Sequence, residues 1–480
     1  MDRVALPASI ASDLVEWLQS HPQGHERAAI VLFREYARGG TDLPASKRWV
    51  AVEALMLHDD WVRSSSPCHI EINLRKLPEV YLRCELGGLH LGFIHSHPTG
   101  APDFSFKDDL NEKNILRGYG GCNGPDQPLI SLVLCDGHWR ARVRYANNPD
   151  LVVGVRHVAE VGPGLDIHLG QAGESSPVQQ RQEAAFGQPF NKKLASLRAG
   201  IVGLGGTGSP VATLLVRAGV GELIVIDGDV VEETNLNRVR GYRHADIGHK
   251  KAMVLAKFLN GLGLPGKSVP IDKYLYESPR AVDALSGCDV IFGCTDDVLG
   301  RELLNLCAFY YGIPLIDLGL TGEVGEVDGE AILRDHRGRV STIISGFSAC
   351  LRCQRVVTDE KLKYEEALRL NPELKKLDRE TLRKEFYIVG GGEEAPGVGP
   401  FTSATADLGV ATLLDLVRPY RELDTDLRRD NIWYDFVHLR IHSNEPSASP
   451  NCFCCGTGGI QPGALETDRL GLPMLGRLNS

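Results

Sequence analysis

The chain has 480 residues, 43% of them hydrophobic and 24% charged, with a formal net charge of −10. That length predicts two or three domains with cores of their own, and the acidic balance argues against a nucleic-acid-binding surface. No apolar run reaches the length of a membrane span, and Met1, Asp2 and Arg3 open no signal-peptide stretch, so a cytoplasmic protein with neither a membrane nor a nucleic-acid partner is expected.

Helical periodicity over residues 6–20 is followed by the apolar run Ala28–Phe33, which has strand character. A second helix is predicted around Ser46–His58, then strands at Cys68–Asn73, Val80–Cys84 and Leu89–Ile94, the last delivering His95 at a strand end. The loop Pro98–Pro102 leads into a helix near Ser105, and Leu129–Cys135 and Trp139–Tyr145 complete the sheet. Residues 1–150 are therefore expected to form a mixed-sheet α/β domain.

Within it, His95 and His97 lie one residue apart and so point the same way from an extended segment, and Ser105 and Asp108 follow shortly after. Two imidazoles and a carboxylate suit Zn2+ with a fourth position open to water, whose pKa the ion lowers to about 7. At the start of a helix Ser105 has an ordinary reading as an N-cap that pairs with Asp108, and Glu26 one as a solvated residue before a strand.

The spacing from His95 through His97 and Ser105 to Asp108 resembles the JAMM (JAB, MPN-plus) metalloprotease motif, over roughly residues 5–150. The resemblance implies a deaminase-like fold, His95, His97 and Asp108 as ligands of a catalytic zinc, and Glu26 as the general base. Ser105 would then donate to the oxyanion that forms when water attacks a carbonyl.

Residues 151–178 carry a few strand-like stretches and a Gly- and Ser-bearing segment suited to a linker. Beyond it, strand Arg198–Gly203, a glycine turn with Gly203, Gly205, Gly206 and Gly208, helix Pro210–Ala218 and strand Glu222–Asp227 make the βαβ opening of a doubly wound, Rossmann-like sheet. Further parallel strands are predicted at Asp289–Gly293 and Ile313–Leu318, and a helix at Thr405–Val417. Glycines let backbone amides approach phosphate, and Asp227 ends a strand where an acid binds ribose hydroxyls in NAD and ATP sites alike.

Asp227 and Asp229, then Asn235 and Arg238, then Lys250 and Lys251, then Asp296 and Asp297 form an ordered series. It resembles the ThiF/MoeB and ubiquitin-activating enzyme superfamily over about residues 179–456, which leaves 457–480 as a tail. The resemblance implies that Asp227 holds ribose, Arg238 and Lys251 the triphosphate, and Asp296 a magnesium ion, with Asn235 supporting the phosphate pocket. Cations where negative charge gathers and a carboxylate for Mg2+ are what attack by a carboxylate on ATP requires. Taken singly, Arg238 and Lys251 could be surface cations and Asp296 a helix N-cap. Arg181 resembles the family arginine that reaches the ATP of a neighbouring subunit, which implies a homodimer.

Cys350 and Cys353, with Cys452 and Cys455, are two Cys-x2-Cys pairs that predict a closed structural zinc site, Cys454 being a spare ligand or a free thiol. Ubiquitin-activating relatives carry a catalytic cysteine between such pairs; here none occurs between Cys353 and Cys452. That interval holds a charged helical stretch at Asp359–Phe386 and a loop with Gly390, Gly391 and Gly392.

The two resemblances together imply a bifunctional enzyme using Zn2+, ATP and Mg2+. It would cleave at the C-terminus of a ubiquitin-like or sulfur-carrier protein ending in Gly-Gly, and adenylate the exposed glycine. A conjugating enzyme or a sulfur donor would be a further partner. An NAD-dependent oxidoreductase on the same glycine turn and a non-catalytic scaffold for ubiquitin-like proteins are the alternatives.

Overall fold

A computed structural model describes residues 1–36, 46–170, 176–376, 397–421 and 430–477. The chain divides into two compact units, one of residues 1–175, 186–196 and 462–465, the other of residues 176–185, 197–461 and 466–480.

The first unit runs β1 (Asp2–Pro7), α1 (Ala8–Gln19), β2 (Ala28–Tyr36), β3 (Arg48–Met56), β4 (Val62–Ser66), β5 (His69–Ile72), α2 (Leu77–Gly87), β6 (His90–Ser96), α3 (Phe106–Asn123), β7 (Pro128–Cys135), β8 (His138–Tyr145), β9 (Asn148–Val161) and β10 (Leu165–Leu169). Eight strands order as β1-β3-β2-β6-β7-β8-β9-β10, and a parallel pairing of β1 with β9 closes them into a barrel-like sheet. Pairings are parallel and antiparallel, as a mixed sheet requires. One face buries α1 through Ala11, Leu14 and Leu18 against Trp49 and Trp139; the other buries Leu77, Val80, Tyr81 and Cys84 of α2 beside Ile115 and Leu116 of α3.

Three expectations change here. Residues 48–56 form strand β3, not a helix: Trp49, Val50 and Ala51 are buried between β1 and β2, and this packing overrides local helical pattern. Val80–Cys84 lies inside helix α2, not a strand. Pro78 sits in its first turn, Gly88 closes it in the left-handed region, and Leu77, Val80, Tyr81 and Cys84 share one helical face. Residues 151–169, expected as linker with some strand, are the larger part of β9 and all of β10 and belong to this sheet. The expected linker residues 171–175 lie outside the described residues.

The second sheet is built of β11 (Arg198–Val202), β12 (Glu222–Ile226), β13 (Lys267–Ile271), β14 (Val290–Gly293), β15 (Leu315–Val327), β16 (Glu330–Ile343), β17 (Asn431–Asp435) and β18 (Arg440–Ser443). Its order is β13-β12-β11-β14-β15-β16-β17-β18; the first five are parallel, the doubly wound pattern, and the last three are antiparallel. Helices α4 (Gln180–Phe186) and α5 (Gln188–Ser196) precede it. Within it come α6 (Gly208–Ala218), α7 (Lys251–Gly261), α8 (Pro279–Ser286), α9 (Val298–Tyr310), α10 (Asp359–Leu370) and α11 (Gly399–Val417). The expected tail is not a free appendage: Arg469 forks onto Asp283 with contacts of 2.6 and 2.9 Å. The rest of the charged stretch, residues 377–386, and the Gly390–Gly392 loop lie outside the described residues.

Candidate functional sites

Strand β6 sets the first site. Its pairing with β2 places His95 opposite Ala28, so Glu26, just before β2, and His95, at the end of β6, share one end of the sheet. The Ser96 amide bonds the Arg27 carbonyl at 3.0 Å and the Ser96 hydroxyl accepts from the Arg27 amide at 3.1 Å, which fixes the two segments together. His95 and His97 are buried, with their Nε2 atoms 3.1 Å apart. Asp108 reaches both from α3, Oδ1 to His95 Nε2 at 3.1 Å and Oδ2 to His97 Nε2 at 3.4 Å.

The residues fit a zinc ion. His97 Nδ1 lies 2.8 Å from the Ala101 carbonyl, which can only accept, so Nδ1 carries the proton and Nε2 turns a lone pair toward His95. Two nitrogens on one tetrahedral zinc stand about 3.3 Å apart, close to the spacing found. Glu26, His95 and His97 bring one ligand-type atom each within 4.8 Å of one another. His95 Nδ1 is buried without a hydrogen-bond partner among the described residues, and the ring is held instead by stacking on Phe93 at 5.5 Å.

Burial pushes the Glu26 carboxyl up to about 7, against the pull of His95 and His97. That is the range of a group able to take and return a proton near neutrality. Asp108 behaves oppositely: burial would raise it, but the neighbouring His95 and His97 imidazoles hold it far below the usual carboxylate range.

Ser105 is the N-cap of α3. Its Oγ accepts from the Asp108 amide at 3.3 Å while its own amide donates to Asp108 Oδ2 at 2.6 Å, a complete capping box. The cap uses Oγ as an acceptor, so the exposed hydroxyl keeps its proton to donate.

The second site gathers at the C-terminal ends of β11, β12 and β14, where doubly wound sheets bind ligands. Gly203 has φ +85°, and a Cβ there would meet the Cys294 carbonyl at 2.6 Å; at Gly208 it would sit 1.8 Å from the Gly203 carbonyl. Gly205 faces open space, and Gly206 lies against Arg238. Asp227 is buried, with Oδ2 accepting from the Leu204 amide at 2.6 Å and Oδ1 from the Asp229 amide at 2.8 Å. Burial raises its carboxyl, against the pull of Lys251 and of the two amides.

Lys251 Nζ lies 2.8 Å from Asp229 Oδ2, and the Tyr274 hydroxyl takes the other oxygen of Asp229. Lys250 Nζ bonds the Gly228 carbonyl instead, so Lys251 is the lysine that pairs with the acid. Arg238 Nη1 rests on the Thr234 carbonyl at 2.7 Å, and Asn235 is buried with Oδ1 accepting from the Glu232 amide at 3.2 Å.

The helix N-cap at the third strand end is Asp297, which accepts from the Gly300 amide; the N-cap reading of Asp296 is thereby corrected. Asp296 is exposed and its carboxylate makes no hydrogen bond among the described residues, a donor that fits a hydrated magnesium ion. Arg181 is exposed on α4. Sequence reasoning missed Tyr274 and the Ala101 carbonyl: one follows no spacing rule, the other is backbone.

Cys350, Cys353, Cys452 and Cys455 converge, with Sγ separations of 3.5 Å for Cys350 and Cys452 and 3.6 Å for Cys353 and Cys455. Four thiolates about 2.3 Å from a tetrahedral zinc have this spacing. Hydrogen bonding from Cys454, opposed by burial, brings the Cys350 thiol down to about 4. Cys454 is buried with its sulfur 3.4 Å from Asn305 Nδ2.

A five-stranded parallel core with a glycine turn, an acid after the second strand and a paired lysine defines a nucleotide-binding α/β domain. Residues 179–454 match the ThiF family, and the chain belongs to it, with a ThiF/MoeB-type adenylyltransferase domain there. Over 279 residues, 56% of this chain and 83% of the relative, it is 36% identical to the SAMP-activating enzyme E1 of Haloferax volcanii. It is 36% identical over 165 residues to the adenylyltransferase and sulfurtransferase uba4 of Aspergillus terreus, covering 34% of this chain and 33% of that protein. It is 33% identical over 153 residues to the sulfur carrier protein adenylyltransferase of Thermus thermophilus, covering 32% and 53%. Apart from the archaeal protein, then, the chain spans about a third to a half of these relatives. No helix among the described residues is long and apolar enough to cross a membrane.

Proposed function

We propose that the chain is a two-site enzyme acting on one kind of substrate, a ubiquitin-like or sulfur-carrier protein with a Gly-Gly C-terminus. Residues 179–454 adenylate the terminal carboxylate with ATP, and the site in the first unit hydrolyses the peptide or isopeptide bond after that glycine. Support for the adenylating half comes from the family membership and from relatives named as activating a SAMP or adenylating a sulfur carrier.

One observation carries the hydrolytic half: His95, His97 and Asp108 converge within 3.4 Å of one another beside a buried Glu26 whose carboxyl sits near 7. When bound there, zinc supplies Lewis-acid chemistry to a carbonyl and acidifies water. Glu26 accepts the water proton and returns it to the leaving amine, and the Ser105 hydroxyl donates to the developing oxyanion. The Ala101 carbonyl, accepting from Nδ1, leaves the His97 Nε2 lone pair free for the metal.

In the second unit, Gly203, Gly205, Gly206 and Gly208 admit phosphate to the backbone amides, Asp227 binds ribose, and Asn235 braces the turn that carries Arg238. Lys251, released from Asp229, and Arg238 neutralise the triphosphate, and Asp296 holds magnesium. Arg181 reaches the ATP of a second copy in a homodimer. With no cysteine between Cys353 and Cys452, the adenylate passes directly to a sulfur donor or a conjugating enzyme.

The test combines one carrier extended beyond Gly-Gly, the same carrier ending in Gly-Gly, and ATP. Tail cleavage of the first and pyrophosphate exchange dependent on the second are expected. If neither occurs, the proposal fails as a whole; exchange without cleavage removes the hydrolase alone.

A further inference from the structure

Helix α10 lies in the interval between the two cysteine pairs, where this chain has no cysteine of its own, and its contacts run toward the nucleotide site. Arg352, between Cys350 and Cys353, ties the start of α10 through Asp359 at 2.8 Å while holding Glu302 of α9 at 2.7 Å. Nearly two turns on, Glu365 Oε2 accepts from the Val298 amide at 2.7 Å and the Leu299 amide at 3.1 Å. A turn further, the Arg369 guanidinium lies over Tyr276 at 5.4 Å; Tyr276 stacks on Tyr274 at 5.3 Å, and Tyr274 bonds Asp229, the partner of Lys251.

The Glu365 contact is more than an ordinary helix cap. The N-cap of α9 is Asp297, which satisfies the Gly300 amide and leaves the Val298 and Leu299 amides facing outward. Free amides at a helix start attract anions, and here only Asp297 separates them from Asp296. Glu365 occupies both amides.

We propose that Glu365 is a positioning residue for the adenylation site, holding the first turn of α9 so that Asp296 faces the metal-bearing phosphates and coupling α10 to nucleotide binding. The inference rests on the reading of residues 179–454 as an ATP site. Its action is geometric: an acceptor oxygen at this place suffices, with or without charge.

The full-length protein, with Glu365→Ala and Glu365→Gln variants, is titrated with ATP by calorimetry with Mg2+ and with EDTA, and amide exchange is followed at Val298 and Leu299. Glu365→Ala should speed exchange at both amides and weaken ATP binding about tenfold with Mg2+, the scale of losing a group that orients a metal ligand, while leaving binding in EDTA unchanged. Glu365→Gln, which keeps the acceptor oxygen, should restore both readouts. Equal loss with and without Mg2+, or no rescue by glutamine, overturns the positioning role. ATP binding by the unsubstituted protein that the alanine variant leaves intact overturns this proposal alone. No ATP binding by the unsubstituted protein overturns the nucleotide reading and this proposal with it.

Discussion

At Glu26, one carboxyl combines burial with imidazole neighbours. Replacing it with glutamine keeps the shape and removes the base, so Glu26→Gln should abolish tail cleavage while bound zinc, measured by atomic absorption, stays at the unsubstituted level. The metal-free protein offers a second check. A carboxyl ordinarily near 4.5 that sits near 7 when folded binds its proton more tightly in the folded chain. Its contribution to stability is full below about 4.5 and is lost as pH rises toward about 7. Urea melts across that window should show a decline in the unsubstituted protein that Glu26→Gln flattens; parallel curves would contradict the folded-state value. The convergence of His95, His97 and Asp108 was legible because their spacing is local, but their tautomers were not. The proton on His97 is fixed by the Ala101 carbonyl, and backbone leaves no mark in a motif.

Among secondary-structure elements, the glycine turn and helix α3 show how local sequence and packing divide the work. The turn was readable because a Cβ at Gly203 or Gly208 would strike backbone, which only glycine avoids. Gly208→Ala should therefore lower the melting temperature, whereas Gly205→Ala, with open space in front of it, should fold normally and lose ATP affinity. Equal melting losses in both would show that the turn is purely architectural. Helix α3 carries Asp108 and is gripped from β8: Arg144 bonds Glu112 at 2.8 Å and Asp109 at 2.6 Å, and Arg142 bonds the same two acids. Glu112 is fully buried, so Glu112→Ala leaves both guanidiniums sharing Asp109 alone and should cost about 3 kcal/mol, measured by chemical denaturation. None of this clamp was visible in the sequence, since its partners lie about thirty residues apart on different elements. The mistaken helix at β3 and strand within α2 have the same origin: both segments are short, and their partners, not their periodicity, decide them.

For the whole molecule, the two cysteine pairs and the histidine pair predict two zinc ions per chain, one of which should disappear when Cys452 and Cys455 are replaced by serine. A single zinc in the intact protein would count against one site. The proposed homodimer is tested by mixing an Arg181→Ala protein with a Lys251→Ala protein. If Arg181 serves the neighbouring subunit, mixed dimers contain one site with both residues intact, and exchange activity should exceed that of either variant alone. No gain on mixing would rule out service of Arg181 to the neighbouring subunit. The doubly wound order was legible from alternating buried strands and helices, but the three antiparallel strands that extend it were not, because β17 reaches β16 from about ninety residues away.

Strand β9 has a practical consequence. Its first half pairs with β8 and its second half with β1 and β10, so this single strand closes the sheet. A fragment ended at residue 150, where the sequence alone suggested a boundary, would leave the outer edges of β1 and β8 bare and ready to stack on other copies. The first unit prepared by itself should extend through Ser196, and the piece ended at residue 150 should precipitate where the longer one stays in solution.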